Sequence, residues 1–216
     1  MNLLNENNPV HQFFNLLGDI IIANLLFLLC SLPLITIGPS LTALYHCMLR
    51  TVKGSNPGTV RTFFRALKEN FVQSLLAWIG FLGAAAVLFL NLRFLETVNT
   101  AAGQLFLYLS LAVAGLLFLL FLYTFPVIAA FSDTLTHLLR NAAAFLFLHF
   151  PSTLIIATVS FLPLYMTYLD LKLLPLYAFC WFFFGFGLTA FLNSLLFYRM
   201  FKPFLANDTD TQKENP

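Results

Sequence analysis

Residues 31–68 read SLPLITIGPSLTALYHCMLRTVKGSNPGTVRTFFRALK and contain five of the chain's eleven Lys and Arg residues. An apolar run ends at Gly38-Pro39, and two segments with helical spacing follow on either side of the sequence Gly54-Ser-Asn-Pro-Gly58. Clusters of glycine, proline and asparagine form turns between regular elements. The stretch therefore predicts a basic connection, made of two short amphipathic helices, between two membrane spans.

The composition of the whole chain is that of a membrane protein. Of its 216 residues, 60% are hydrophobic and only 9% are charged, whereas soluble domains carry about 25% charged residues. About 20 apolar helical residues cross about 30 Å of hydrocarbon. The apolar segments predict an all-α polytopic fold with about five transmembrane helices plus short amphipathic interfacial helices. The spans are predicted at about 19–37, 70–92, 104–126, 143–168 and 174–198, in one domain of residues 1–205 followed by a disordered polar tail at 206–216.

Both short helices are predicted to lie at the membrane interface. In the first, the apolar stripe is Leu41, Leu44, Tyr45, Met48, Leu49 and Val52, and the polar face is Thr42, His46, Arg50 and Lys53. In the second, the apolar stripe is Val60, Phe63, Phe64, Leu67 and Phe71, and the polar face is Arg61, Arg65, Lys68 and Glu69. A helix of about 14 residues reaches only about 21 Å, too short to span. A re-entrant position for residues 39–52 is the alternative.

The distribution of cations predicts the orientation. With five spans, one side of the membrane carries nine Lys and Arg residues, namely Arg50, Lys53, Arg61, Arg65, Lys68, Arg140, Arg199, Lys202 and Lys213. The other side carries Arg93 and Lys172. The positive-inside rule then places the 38–69 loop and the C-terminus in the cytoplasm and the N-terminus outside. If residues 39–52 cross the membrane, the N-terminus moves inside.

No motif in the chain indicates catalysis, a cofactor or a metal. Nucleophile-elbow, Walker, Rossmann and HExxH patterns are absent, and the three cysteines lack metal-ligand spacing. Asn24 is expected to form an interhelical hydrogen bond, and Asp19 is either a solvated acid at a span end or an ion site. The candidate interaction face is the polar side of the two short helices: Thr42, His46, Arg50, Arg61, Arg65 and Asn70.

Three short motifs resemble the YesL family of bacterial integral membrane proteins. They are Cys-x-Leu-Pro at residues 30–33, T-I-G-P-x-x-T-A-L-Y at 36–45 and F-[FW]-R-x-[FL]-K-x-N-F at 63–71, with Leu67 where many members have Phe. The resemblance covers about residues 14–80. It implies a multi-pass protein of the bacterial cell membrane, of unknown biochemical activity, often encoded near carbohydrate uptake and degradation systems. It supplies no catalytic residues.

Two functions are consistent with these observations. The first is a non-enzymatic accessory component associated with carbohydrate uptake or utilisation, which contacts anionic headgroups or a carbohydrate transporter complex. The alternative is a small transporter or channel subunit, a pseudo-repeated helical bundle with a polar cavity lined by Asn24, Asn70, Gln73, Ser74 and Asn141. No nucleic-acid partner is expected from a net charge of only +2. The sequence leaves homo-oligomerisation open.

Overall fold

The computed structural model describes residues 9–55, 58–96 and 100–211, and every regular element within them is helical. The helices are α1 (Pro9–Cys30), α2 (Ile37–Val52), α3 (Thr59–Glu69), α4 (Phe71–Leu95), α5 (Ala101–Ala130), α6 (Leu135–Leu148), α7 (Phe150–Leu169), α8 (Leu174–Cys180) and α9 (Phe186–Thr211). A π-helical turn, Trp181–Gly185, joins α8 to α9. The stretches long and apolar enough to cross a membrane are Gln12–Cys30, Phe71–Leu95, Ala101–Ala130, Phe150–Leu169 and Leu174–Phe204. The predicted all-α fold with five candidate spans is confirmed.

Several helix boundaries differ from the prediction: α5 continues past residue 126 to Ala130, and the fourth candidate span begins at Phe150 rather than near residue 143. The first span ends at Cys30 rather than near residue 37, because Pro33 has no N–H to donate and disfavours helical geometry in the residue before it. The chain leaves the helix there. At the other end, α9 continues to Thr211, whereas the predicted tail begins at residue 206. Residues 212–216 lie outside the described part of the chain.

Residues 39–52 lie at the centre of the bundle as part of α2, which favours the re-entrant alternative over the interfacial position. Helix α2 packs against α1, α3, α4, α5 and α9, and it is buried on more than one face. Thr42, placed on a water-facing side by the sequence pattern, is fully buried, and its Oγ1 lies 2.8 Å from Ser74 Oγ of α4. Gly38 allows this close contact, since a Cβ there would lie 2.5 Å from Trp78 Cβ and 2.8 Å from Ser74 O.

Helices α1 and α2 form an antiparallel hairpin. At its tip, Thr36 Oγ1 donates to Cys30 O at 2.6 Å. Well away from the tip, Thr59 at the start of α3 contacts both helices: its hydroxyl donates to Asp19 Oδ1, and its carbonyl accepts from Cys47 Sγ at 3.7 Å. The chain therefore returns along α1, and the α2–α3 connection lies at the end of the bundle from which α1 starts.

The contact between α1 and the π-helical turn depends on Asn24. Its fully buried side chain donates from Nδ2 to Trp181 O at 3.1 Å and to Phe182 O at 2.7 Å, and Oδ1 accepts from Gly187 N at 2.8 Å. A π-helical turn disturbs the regular backbone ladder, and Asn24 binds groups within and just after it. The expected interhelical role of Asn24 is confirmed.

Helices α4 and α5 run antiparallel and pair through aromatic contacts. The ring of Phe121 lies 6.0 Å from that of Trp78 and 5.5 Å from that of Phe81. Gly80 and Gly83 in the middle of α4 do not face a neighbour, because no atom lies within 4 Å of a Cβ built at either residue. Apolar side chains of both helices are exposed over most of their length, as expected for surfaces that face lipid.

Candidate functional site

The polar features gather at the end of the bundle where α2 and α5 finish and where α3 and α4 begin, and we call this the basic end. Arg50 lies in the last turn of α2, and Lys53 directly follows that helix. Three further cations lie on α3: Arg61, Arg65 and Lys68. Tyr198 of α9 lies beside Arg50 and Lys53. The side chains of Arg50 and Tyr198 are half-buried, and those of Lys53 and the α3 cations are exposed.

His46 joins two helices at this end. Its Nδ1 lies 2.8 Å from Ala129 O in the last turn of α5, a carbonyl that has no partner within its own helix. A carbonyl only accepts, so Nδ1 carries the proton. Burial lowers the pKa of His46, with a further lowering by nearby Arg50, and outweighs the opposing effect of the bond to Ala129. The ring is therefore neutral at pH 7 and caps the end of α5.

Two cavities flank the contact between His46 and Ala129. The larger has a volume of about 830 Å³ and lies between the start of α4 and the segment that follows α5. Its polar lining residues include Glu69, Asn70, Gln73 and Asp133. The smaller cavity has a volume of about 290 Å³, and it is lined by residues of α2, its C-terminal turn, α5 and α9.

The six residues of the predicted interaction face separate into three groups. His46, Arg50 and Asn70 line the cavities. Thr42 does not belong to this face, because it is buried in the contact with Ser74. Arg61 and Arg65 are exposed on α3 and line neither of the two cavities.

Arg65 forms an exposed ion pair with Glu69, in which Nε and Oε1 lie 2.8 Å apart. The hydrogen bond raises the pKa of Arg65 and lowers that of Glu69. An exposed pair of this kind at i,i+4 spacing contributes little to stability. Glu69 of this pair also lines the larger cavity.

The cavity residues that the sequence analysis did not name include Ser55, Tyr198 and Asp133. Ser55 could have been found from the glycine beside it. Gly54 has a φ of 73°, Gly54 N donates to Thr51 O, and Ser55 N donates to Arg50 O, both at 3.0 Å. This is the helix C-cap that glycine favours, and it holds Ser55 near Arg50. Nothing local in the sequence brings Tyr198 to the same place.

The polar residues expected to line one transport cavity do not converge. Asn24 and Ser74 are fully buried in helix contacts, and Asn141 lines a different, mostly apolar cavity with Phe145 and Phe204. Only Asn70 and Gln73 line a common polar space. This arrangement removes the specific support for the transporter alternative.

Asp19 is half-buried and accepts a hydrogen bond from Thr59 in the first turn of α3. A carboxylate near a helix N-terminus is stabilising, so its position has a structural explanation. Within the described residues, no group of three or more His, Cys, Asp and Glu side chains is placed to hold a metal ion. Cys30, Cys47 and Cys180 are free thiols.

Comparison with known proteins supports an uncharacterised family. A family model described as "Protein of unknown function, DUF624" matches residues 20–92, which includes α2, α3 and the three motifs that resemble the YesL family. No curated protein and no solved structure matches the chain. Over residues 20–92 the chain is similar in sequence to this family of unknown function, and the matched region contributes most of the basic end.

Proposed function

We propose that this protein is a non-enzymatic accessory component of the bacterial cell membrane, and that it acts through contacts made at its basic end. The titratable groups there already serve structural roles: His46 caps α5, Glu69 pairs with Arg65, and Asp133 accepts from Thr134 N at 2.6 Å. Side chains that already form such hydrogen bonds and ion pairs are suited to stabilising the positions of the helices. They are less suited to acid–base chemistry, which requires a proton to be exchanged with a substrate.

The observation that carries the proposal is the two-sided character of α3. Its inner face is buried through Thr59, Thr62, Phe63 and Ala66. Its outer surface combines cations with apolar side chains, since Val60 and Phe64 are each 49% exposed beside Arg61 and Arg65. A helix that is anchored on one side and basic and apolar on the other is suited to contact an acidic, partly apolar surface at headgroup depth.

Charge reversal on α3 tests this proposal. In a triple variant, Arg61→Glu, Arg65→Glu and Lys68→Glu, we expect loss of the proteins and anionic lipids that co-purify with the wild type in mild detergent. The matched control is Arg93→Glu at the far end of α4, which should retain them. Unchanged recovery by the triple variant, with unchanged orientation, would contradict the proposal. The link to carbohydrate uptake rests on the YesL resemblance, and recovery of a solute-transport subunit would support it.

We also propose that the basic end faces the cytoplasm, as the positive-inside rule indicates. Helix α1 starts at the same end of the bundle to which α2 returns, so the start of α1 then lies on the cytoplasmic side too. Five simple crossings of the membrane would instead place the N-terminus outside. A fluorescent protein that folds only in the cytoplasm, fused ahead of Met1, should be fluorescent. The same protein inserted after Thr100, between α4 and α5, should be dark. The opposite pattern would refute this orientation.

A further inference from the structure

The smaller cavity at the basic end has the lining expected of an anion site. Arg50 and Lys53 supply two positive charges, and Ser55 and Tyr198 supply two hydroxyl donors. These groups come from α2, its C-terminal turn and α9, so the tertiary fold assembles the set. Phe201 and Leu49 form an apolar wall, which reduces the local dielectric and strengthens charged hydrogen bonds.

No ion pair among the described residues neutralises the positive charge of this cavity, although Glu69 lies close enough to Arg50 for their charges to interact. Across the described parts of the chain, no carboxylate lines it, and neither Arg50 nor Lys53 lies within 4.0 Å of an acidic oxygen. The acidic side chains Glu69 and Asp133 line the other cavity, beyond His46. His46 Nδ1 donates its proton to Ala129 O. This nitrogen is therefore not an acceptor that would compete with a bound anion for the donors of the cavity.

Phosphate is the anion whose chemistry best fits these donors. A guanidinium binds two phosphate oxygens through parallel N–H groups, a lysine ammonium adds a point charge, and hydroxyl groups donate to the remaining oxygens. The volume of about 290 Å³ suits a headgroup or a small ester rather than a large ligand.

We propose that the cavity formed by Arg50, Lys53, Ser55 and Tyr198 binds a phosphate group, carried by an anionic phospholipid or by a soluble phosphate ester. This deepens the proposed function, because it assigns a ligand chemistry to the basic end. The phosphate site depends on the proposed function only for its biological role, because the binding argument uses the cavity residues alone. The surface of α3 does not line the cavity, so the two are separately testable.

The cavity is tested with the full chain purified in an uncharged detergent. Inorganic phosphate and glycerol 1-phosphate are titrated at constant ionic strength while the thermal unfolding midpoint is followed. Phosphatidylglycerol retention is measured in parallel by native mass spectrometry. The double variant Arg50→Gln and Lys53→Gln should lose affinity by tenfold or more, since it removes two charged donors. Tyr198→Phe, which removes one hydroxyl, should lose about threefold to tenfold.

The matched control is Arg61→Gln with Lys68→Gln, which removes the same charge from exposed positions on α3. It should bind phosphate like the wild type. A response to glycerol 1-phosphate without retained phospholipid identifies a soluble ligand, and retained phosphatidylglycerol lost only in the cavity variants identifies a lipid. Equal losses in cavity and control variants, or no binding of any phosphate compound by the wild type, would overturn the inference. Neither result bears on the proposed role of α3, which the charge-reversal experiment tests separately.

Discussion

Replacing Asn24 with alanine should destabilise the bundle more than any substitution of an exposed polar residue. The change removes three hydrogen bonds, to Trp181 O, Phe182 O and from Gly187 N. Interhelical hydrogen bonds in membrane proteins contribute about 0.6 kcal/mol on average, so the three bonds amount to about 2 kcal/mol. The buried N–H of Gly187, left without its acceptor, adds about 1–3 kcal/mol. We expect a total loss of about 3–5 kcal/mol.

The assay is reversible unfolding in mixed micelles, followed by far-ultraviolet circular dichroism as the fraction of denaturing detergent is raised. Asn91→Ala is the control, since Asn91 is exposed and accepts one hydrogen bond, from Ser110 at 3.1 Å. It should change the free energy of unfolding by no more than about 0.5 kcal/mol. Asn24→Asp retains the acceptor for Gly187 but places an oxygen against two carbonyl oxygens, and should be no more stable than Asn24→Ala. Equal stability of Asn24→Ala and the control would refute the reasoning.

Three further predictions concern α2 and its neighbours. Burial lowers the pKa of His46 in the folded state, so the unfolded chain binds more protons near its ordinary pKa of about 6.5. Unfolding free energy should therefore decrease as pH falls below about 6.5, and His46→Gln should have a shallower pH dependence; an unchanged slope would contradict this. Gly38→Ala should lower stability because its Cβ would meet Trp78 Cβ at 2.5 Å, whereas Gly83→Ala, with nothing within 4 Å, should not. Thr42→Val should cost about 0.6–1.7 kcal/mol through loss of the bond to Ser74, with Thr158→Val as an exposed control.

The residue pattern identified most of the secondary structure because lipid imposes a simple rule. Backbone groups in hydrocarbon must bond within their own helix, so long uncharged runs become helices. The five candidate spans, the turn at Gly54 and the bonding role of Asn24 follow from that rule and from local turn chemistry. The amphipathic pattern also located the short helix α2 between residues 37 and 52. The same pattern favoured the membrane interface for this helix, whereas the helix lies at the centre of the bundle.

The placement of α2 could not be read from that pattern, because a polar face in a helix meets either water or a partner. Thr42 and His46 look alike on a water-facing stripe, yet one bonds Ser74 and the other caps α5 through Ala129. Their partners lie 32 and 83 residues away in the chain. Periodicity measures only which side of a helix is polar, not what faces it.

By itself, the sequence determined that this chain is a multi-span helical membrane protein with a concentration of cations around residues 50–68. Those properties depend on local composition and on the solvent that surrounds each helix. Only the tertiary structure decided that α2 returns along α1 and that Arg50 and Lys53 line one cavity with Tyr198 of α9. These depend on contacts between segments far apart in the chain, where close packing at residues such as Gly38 selects one arrangement.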